Sequence, residues 1–368
     1  MAFQFNTDLL TDNNDREAAA KAYPHVFFAL DDPELRDVFT PIDDAANSTK
    51  TRSRLFGIAS VGLVSWALGT AAGTGWIHGL DGRWPEILIG FGGLAGVVGG
   101  GIGAFGIWFS DAKFRWLERR YLSERLRHLH FQTLISCAPE ILKAAETGDP
   151  SDYLKARSAR LQRFQQLHVQ PAAAKLGELV KDDSDEEVWL LETQCPDGPL
   201  EGAHANELLQ ALEDLRITHQ LNYAELKLSA ENVPFFSSPV RQVVFFSGVA
   251  FFAVVAMLLI DLLSLYNAFD ALMANNIGAF KTMGVIDAWA LGLAVLALVM
   301  RALEEGFQSR REVERFRQYR SSIRLVRNRL RAATDTREKL RALREMEEVA
   351  YEDMTNFIKS NYEARFVM

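Results

Sequence analysis

Long apolar runs alternate along this chain with segments in which apolar residues recur at helical spacing among charges. Four runs, at 55–78, 86–109, 243–265 and 285–303, approach the roughly 20 residues that a helix needs to cross a bilayer core. A helix is the expected form, because it satisfies its own backbone donors and acceptors where no water can. The first three runs hold no lysine or arginine, whereas the fourth is the shortest, entered at Asp287 and left at Arg301.

Cations resist translocation and so report direction. Lys50, Arg52 and Arg54 precede the first run, and Lys113, Arg115, Arg119, Arg120, Arg125 and Arg127 follow the second. Arg241 precedes the third, and Arg301, Arg310, Arg311, Arg315 and Arg317 close the fourth. The two short outer connections hold only Arg83 and Lys281. Both termini and the long central segment are therefore expected in the cytosol. Trp76, Trp84, Trp108, Trp116 and Trp289 lie near the run ends, where amphipathic rings anchor at the headgroup level.

The chain thus reads as all-α, a polytopic membrane protein with four transmembrane helices and a cytosolic helical bundle. A cytosolic N-terminal helical segment is expected at 1–50, a first transmembrane hairpin at 51–110 and a cytosolic helical region at 111–240. A second hairpin follows at 241–303, then cytosolic C-terminal helices at 304–368.

Beyond the second run, Phe114, Leu117 and Tyr121, then Leu122, Leu126 and Leu129, keep helical spacing. Gly148 and Pro150 mark a break before a helix over 151–169, and another helix is expected over 205–231. The C-terminal third sets Val313, Phe316, Ile323, Val326 and Leu330 on one stripe, breaks at 334–336, then sets Leu340, Leu343, Met346, Ala350, Met354 and Phe357 on another. Such stripes need partners, either the central helices, each other in a coiled-coil manner, or a second copy in a homo-oligomer.

Two features of the runs stand out. Gly92, Gly96, Gly99, Gly103 and Gly106 recur at steps of four and three, painting one glycine stripe along which another backbone can approach. Ser65, Gly69 and Gly73 repeat the idea in the first run, so the two are expected to form a hairpin or to meet a neighbouring subunit. The stripe serves either static packing or, because glycine lowers helix stiffness, a gating surface. The third run is bulky and carries a lone carboxylate, Asp261, near its outer end. An ionisable group inside a span is a candidate pore or ion site, although a wetted interfacial position is the plainer reading.

Composition narrows the function classes. The formal charge of -8 conceals acidic residues concentrated at 1–48 and 178–214 and arginines at the edges of the runs. Asp8, Asp12, Asp15, Glu17, Asp31 and Asp32 interrupt any signal-peptide pattern, so the N-terminus is expected to stay inside. Cys137 and Cys195 lie in segments assigned to the cytosol and lack metal-ligand spacing, so both read as free thiols. No metal and no cofactor are predicted. His128 and His130, two apart, point to different helix faces, and Glu124 four before His128 reads as a surface pair. The acidic run at 182–187 reads as a solvated linker and lacks calcium-loop spacing. Gly101, Gly103 and Gly106 follow no strand and precede no lysine, which excludes a phosphate loop. The arginines from Arg301 to Arg331 are explained by topology and anionic lipid headgroups, so nucleic acid is not an expected partner. No nucleophile or paired carboxylate has an orienting partner in sequence, and the chain is not expected to be an enzyme.

Two segments bear a family resemblance. WLERRYLSERLR at 116–127 and LRITHQLNYAELK at 215–227 resemble the signatures bordering the paired spans of bacterial SLATT-type two-transmembrane effectors, although this chain has four runs and a long C-terminal tail. The resemblance implies a bacterial inner-membrane protein that assembles in the bilayer and permeabilises or depolarises it when an upstream sensor, such as one reading a nucleotide second messenger, fires in antiviral defence. It also implies that Trp116, Arg120, Glu124, Arg216, Gln220 and Tyr223 couple cytosolic helices to the spans. The alternatives are a membrane-anchored scaffold or sensor, or a channel or motor-type subunit using Asp261.

Overall fold

The computed structural model describes residues 5–78, 80–108, 112–181, 196, 200, 202–231, 234–273 and 279–363. Within these, the side chains of 75–76, 106–108, 112, 267–273 and 279–288 are outside the description. The described residues are helical throughout, with no strand. They divide into two units: Met1–Thr49, Phe114–Ser229 and Val313–Ala364 form the first, and Lys50–Lys113 with Ala230–Glu312 the body of the second.

In the first unit the breaks fall where backbone chemistry requires them. Gly148 takes a φ of 73°, a left-handed cap that lets its N–H reach the carbonyl of Ala144 and end the helix Ala138–Thr147. Pro150 then opens Ser151–Phe164. The C-terminal break lies between Ser309–Ala332 and Thr336–Glu363, where Asp335 accepts from the N–H of Arg337. Both expected C-terminal stripes enter one core with Leu126, Leu134, Ile141, Leu212 and Leu215. The second stripe ends differently from expectation: Ile358 is fully buried, and Phe357 is only half-buried. The helix expected over 205–231 contains a π-helical stretch, Glu213–Thr218, which buries three successive residues, Leu215, Arg216 and Ile217.

Among the described residues three helices are long and apolar enough to cross a membrane, lying within Phe27–Ala72, Trp84–Phe105 and Pro239–Tyr266. Four were expected. The fourth run falls in the helix Ala279–Phe307, but the side chains of its first residues are outside the description, and a span-length window starting at Trp289 takes in Arg301, Glu304 and Glu305. The described residues therefore give three such helices. Large apolar side chains face outward along them, Val97 at 76 % and Phe252 at 70 % exposure, on a scale that water-soluble surfaces rarely tolerate.

Candidate functional site: a buried charge network and a glycine seam

The first unit encloses a continuous chain of ionic and hydrogen-bonding groups. Arg216 is its pivot, held on the π-helical stretch. Its Nε and Nη2 donate to the two oxygens of Glu347 at 2.5 and 2.8 Å, its Nη1 lies 3.4 Å from Asp8 Oδ2, and its guanidinium stacks 4.6 Å over the Phe131 ring. Asp8 also accepts from Arg127 Nε at 3.0 Å and from Gln220 Nε2 at 2.9 Å, and Tyr319 donates to Gln220 at 3.3 Å. Arg127 bridges to Glu124 at 2.6 Å, Glu124 pairs with Arg120, and Arg120 lies 3.6 Å from Asp43. His128 Nδ1 closes the other end, 2.7 Å from Glu347.

Electrostatics fix the protonation states. Burial alone would raise the carboxyl of Asp8, but Arg127, His219 and Arg216 outweigh it and hold the group below its ordinary range. Burial likewise opposes the ionisation of Glu347 and Glu124, and neighbouring arginines again reverse the balance. His128 goes the other way. Burial, with Arg216 and Arg125, lowers its basicity more than Glu347 restores it, so the ring is neutral and donates Nδ1–H to the carboxylate. The arrangement is a set of paired carboxylates and guanidiniums that ties the N-terminal segment, the central helices and the C-terminal helix of this unit to one another.

Sequence-predicted residues are distributed over this unit in an uneven way. Arg120, Glu124, Arg216 and Gln220 all belong to the network. Trp116 packs edge-on against Phe357 at 5.7 Å, and Tyr223 against Phe316 at 5.9 Å, so both touch the C-terminal helices. Trp116 was expected as a headgroup anchor, yet it is buried in the core, because Phe357 offers it an apolar partner. Trp84 and Trp289 are exposed, while the side chains of Trp76 and Trp108 lie outside the described residues. His128 and His130 are buried rather than superficial, and His128 pairs with Glu347, not with Glu124, because the C-terminal helix covers that face. Asp8, Tyr319 and Glu347 were missed; their partners are 99 to 219 residues away in sequence, beyond any periodicity. The acidic run at 182–187 and Cys195 lie outside the described residues, while Cys137 is a buried free thiol.

In the second unit the glycine stripe meets the first run directly. A Cβ at Gly99 would stand 2.7 Å from Leu63 Cβ and 3.0 Å from the Val64 nitrogen; one at Gly96 would stand 3.0 Å from Ala67 Cβ, and one at Gly103 2.8 Å from Ser60 Oγ. Gly92 faces Thr70 with no room for a side chain, whereas Gly93, Gly100 and Gly101 open onto free space. The surroundings of Gly106 lie outside the described residues. The partner stripe differs from the expected one. Ser60, Val64, Ala67 and Thr70 line the seam, whereas a Cβ at Gly69 would meet nothing and Ser65 turns its hydroxyl to the carbonyl of Val61 in its own helix.

Asp261 is exposed on the helix Pro239–Met273, amid exposed Leu258, Leu259, Leu262 and Leu263. A second carboxylate, Glu304, was not singled out from the sequence; it is buried near the end of Ala279–Phe307. It accepts from Arg310 Nε at 2.5 Å, from Ser247 at 3.1 Å and from Arg301 at 3.1 Å, so two arginines assigned to topology also neutralise a buried charge. Gln308, with a φ of 51°, turns the chain into the next helix.

No protein-family model matches this chain, and comparison with curated proteins and with solved structures gives no match.

Proposed function

We propose that this protein is an oligomeric inner-membrane effector with four spans, both termini and the first unit being cytosolic. Its helices gate a glycine-packed transmembrane bundle and permeabilise or depolarise the membrane when a signal arrives. One observation carries the reading: a single helix, Pro33–Ala72, supplies Asp43 to the charge network and Ser60 to the glycine seam. The two features thereby share one continuous stretch of helix along the chain. The resemblance to SLATT-type effectors adds support, since four of its six marked residues share that network and the other two stack on the C-terminal helices. An upstream sensor or a nucleotide second messenger would be the trigger, and no enzymatic step is required of the chain itself.

The purified protein in liposomes should release an entrapped ion-sensitive dye, and its expression should collapse the membrane potential of cells. Leakage should change, in either direction, when Gly99→Leu wedges the seam. Intact liposomes and an unchanged potential, with the protein verified in the membrane and the seam both native and wedged, would refute the effector reading. That result would favour a membrane-anchored scaffold, for which the self-contained core of the first unit is the supporting observation.

A further inference from the structure

Outside the charge network, three side chains of the first unit converge on one point. His25 lies in the turn after the helix Asn13–Ala22, and His204 and Glu207 lie at the N-cap and in the first turn of Ala205–Leu212. Their ligand atoms all fall within 4.8 Å of one another. His25 Nδ1 is 2.8 Å and His204 Nδ1 3.7 Å from the same oxygen, Glu207 Oε2, and the two rings stack at 4.1 Å. The other oxygen, Oε1, accepts from the His25 backbone N–H at 2.9 Å, which fixes the orientation of the carboxylate.

We infer that His25, His204 and Glu207 form a binding site for a divalent cation of the zinc class, with water in the fourth position. Two imidazoles and a carboxylate are the donor set such a cation takes when one position stays open. With metal–ligand bonds of 2.0 to 2.2 Å, tetrahedral donors stand about 3.3 Å apart; the observed 2.8 and 3.7 Å lie within about half an ångström of that, and the two stacked rings must tilt out of parallel so that both lone pairs meet the ion. The charge environment agrees. Glu207 has no arginine or lysine partner among the described residues, in contrast to Glu124, Glu304 and Glu347, and only two imidazoles face it. The exposed His25 ring gives the cation a path in from solvent. Bound there, the cation would clasp the N-terminal segment to the helix that leads into Arg216, beside the Tyr23 hydroxyl that already donates to Asp214 at 2.7 Å.

The untagged, detergent-solubilised full chain, stripped with chelator, should take up one zinc ion per chain in a calorimetric titration. His204→Asn and Glu207→Gln should each weaken binding at least tenfold, and His78→Asn, distant in sequence, should leave it unchanged. Cobalt(II) added to the unmutated chain should give the intense visible bands of a four-coordinate ion, a reading independent of how any variant folds. Absence of uptake at micromolar free zinc, an octahedral cobalt spectrum, or His204→Asn and Glu207→Gln binding as the parent does would each overturn the site.

Discussion

Ser60 donates its hydroxyl to the carbonyl of Gly99 at 2.8 Å, across the seam between the helices Pro33–Ala72 and Trp84–Trp108. A Cβ at position 99 would also stand 3.1 Å from the Ser60 carbonyl, a backbone atom that cannot rotate aside. Gly99→Ala should therefore push the hairpin apart and destabilise it by about 1 to 3 kcal/mol, the usual range for overpacking. Gly100→Ala, on the open side, should be neutral or stabilise by up to about 1 kcal/mol through helix propensity. Thermal unfolding in one detergent, run on both variants, checks the contrast; equal midpoints would mean that the seam does not hold the hairpin.

Removing Arg216 leaves Glu347 and Asp8 buried without their shared cation. Arg216→Ala should cost about 3 to 5 kcal/mol, the penalty expected when one partner of a buried pair is deleted. Arg216→Lys should recover only part of it, because an ammonium cannot offer the planar fork that engages both Glu347 oxygens. Urea denaturation gives the size, and hydrogen exchange should place the lost protection in Ala112–Ser136 and Thr336–Glu363. A cost under about 1 kcal/mol would show that the network is not centred on this residue.

Acid should loosen the same core from near neutrality. His128 and His130 are both held below their ordinary value of 6.5, chiefly by burial. The unfolded chain therefore binds protons that the folded one refuses. Neither ring affects stability well above pH 6.5; below it each penalises the fold by up to about 1.4 kcal/mol per pH unit, until its own lowered pKa is reached. Asp8 and Glu347, held below 3.8 and 4.5, add a second loss in the same direction only at lower pH. Denaturation midpoints should change little between pH 7.5 and 6.5 and fall clearly between 6.5 and 5.5, and His128→Gln should flatten that fall; a level profile down to 5.5 would contradict neutral buried rings.

What the sequence disclosed follows from how each signal is written. The glycine stripe and the C-terminal stripes are periodic within one helix, so spacing alone located Gly92 to Gly103 and Val313 to Met354. The face of the partner helix was misjudged, because Ser65 and Gly69 are as small as Ser60 and Ala67, and size alone does not orient a helix. The charge network was half legible. Arg120, Glu124, Arg216 and Gln220 were singled out by resemblance, but Asp8 and Glu347 meet Arg216 across 208 and 131 residues, a pairing that only the packed core creates. His128 looked superficial for the same reason: nothing local indicates that Glu347 will cover it.

Asp261 separates a conducting reading from an anchoring one. It lies on a helix whose neighbouring leucines face outward, four residues before the expected end of its run at 265, or about 6 Å at helical rise. A carboxylate at that depth is too short to reach far, so it needs either interfacial water or a polar partner across a subunit contact. If it lines an ion path in the proposed assembly, Asp261→Asn should reduce cation flux through liposomes at least tenfold while leaving the elution volume on size exclusion that of the parent. The neutral side chain keeps the same shape and hydrogen-bonding reach, so packing is not the variable. Flux equal to that of the parent would remove Asp261 from the pathway and leave the glycine seam as the element to be opened.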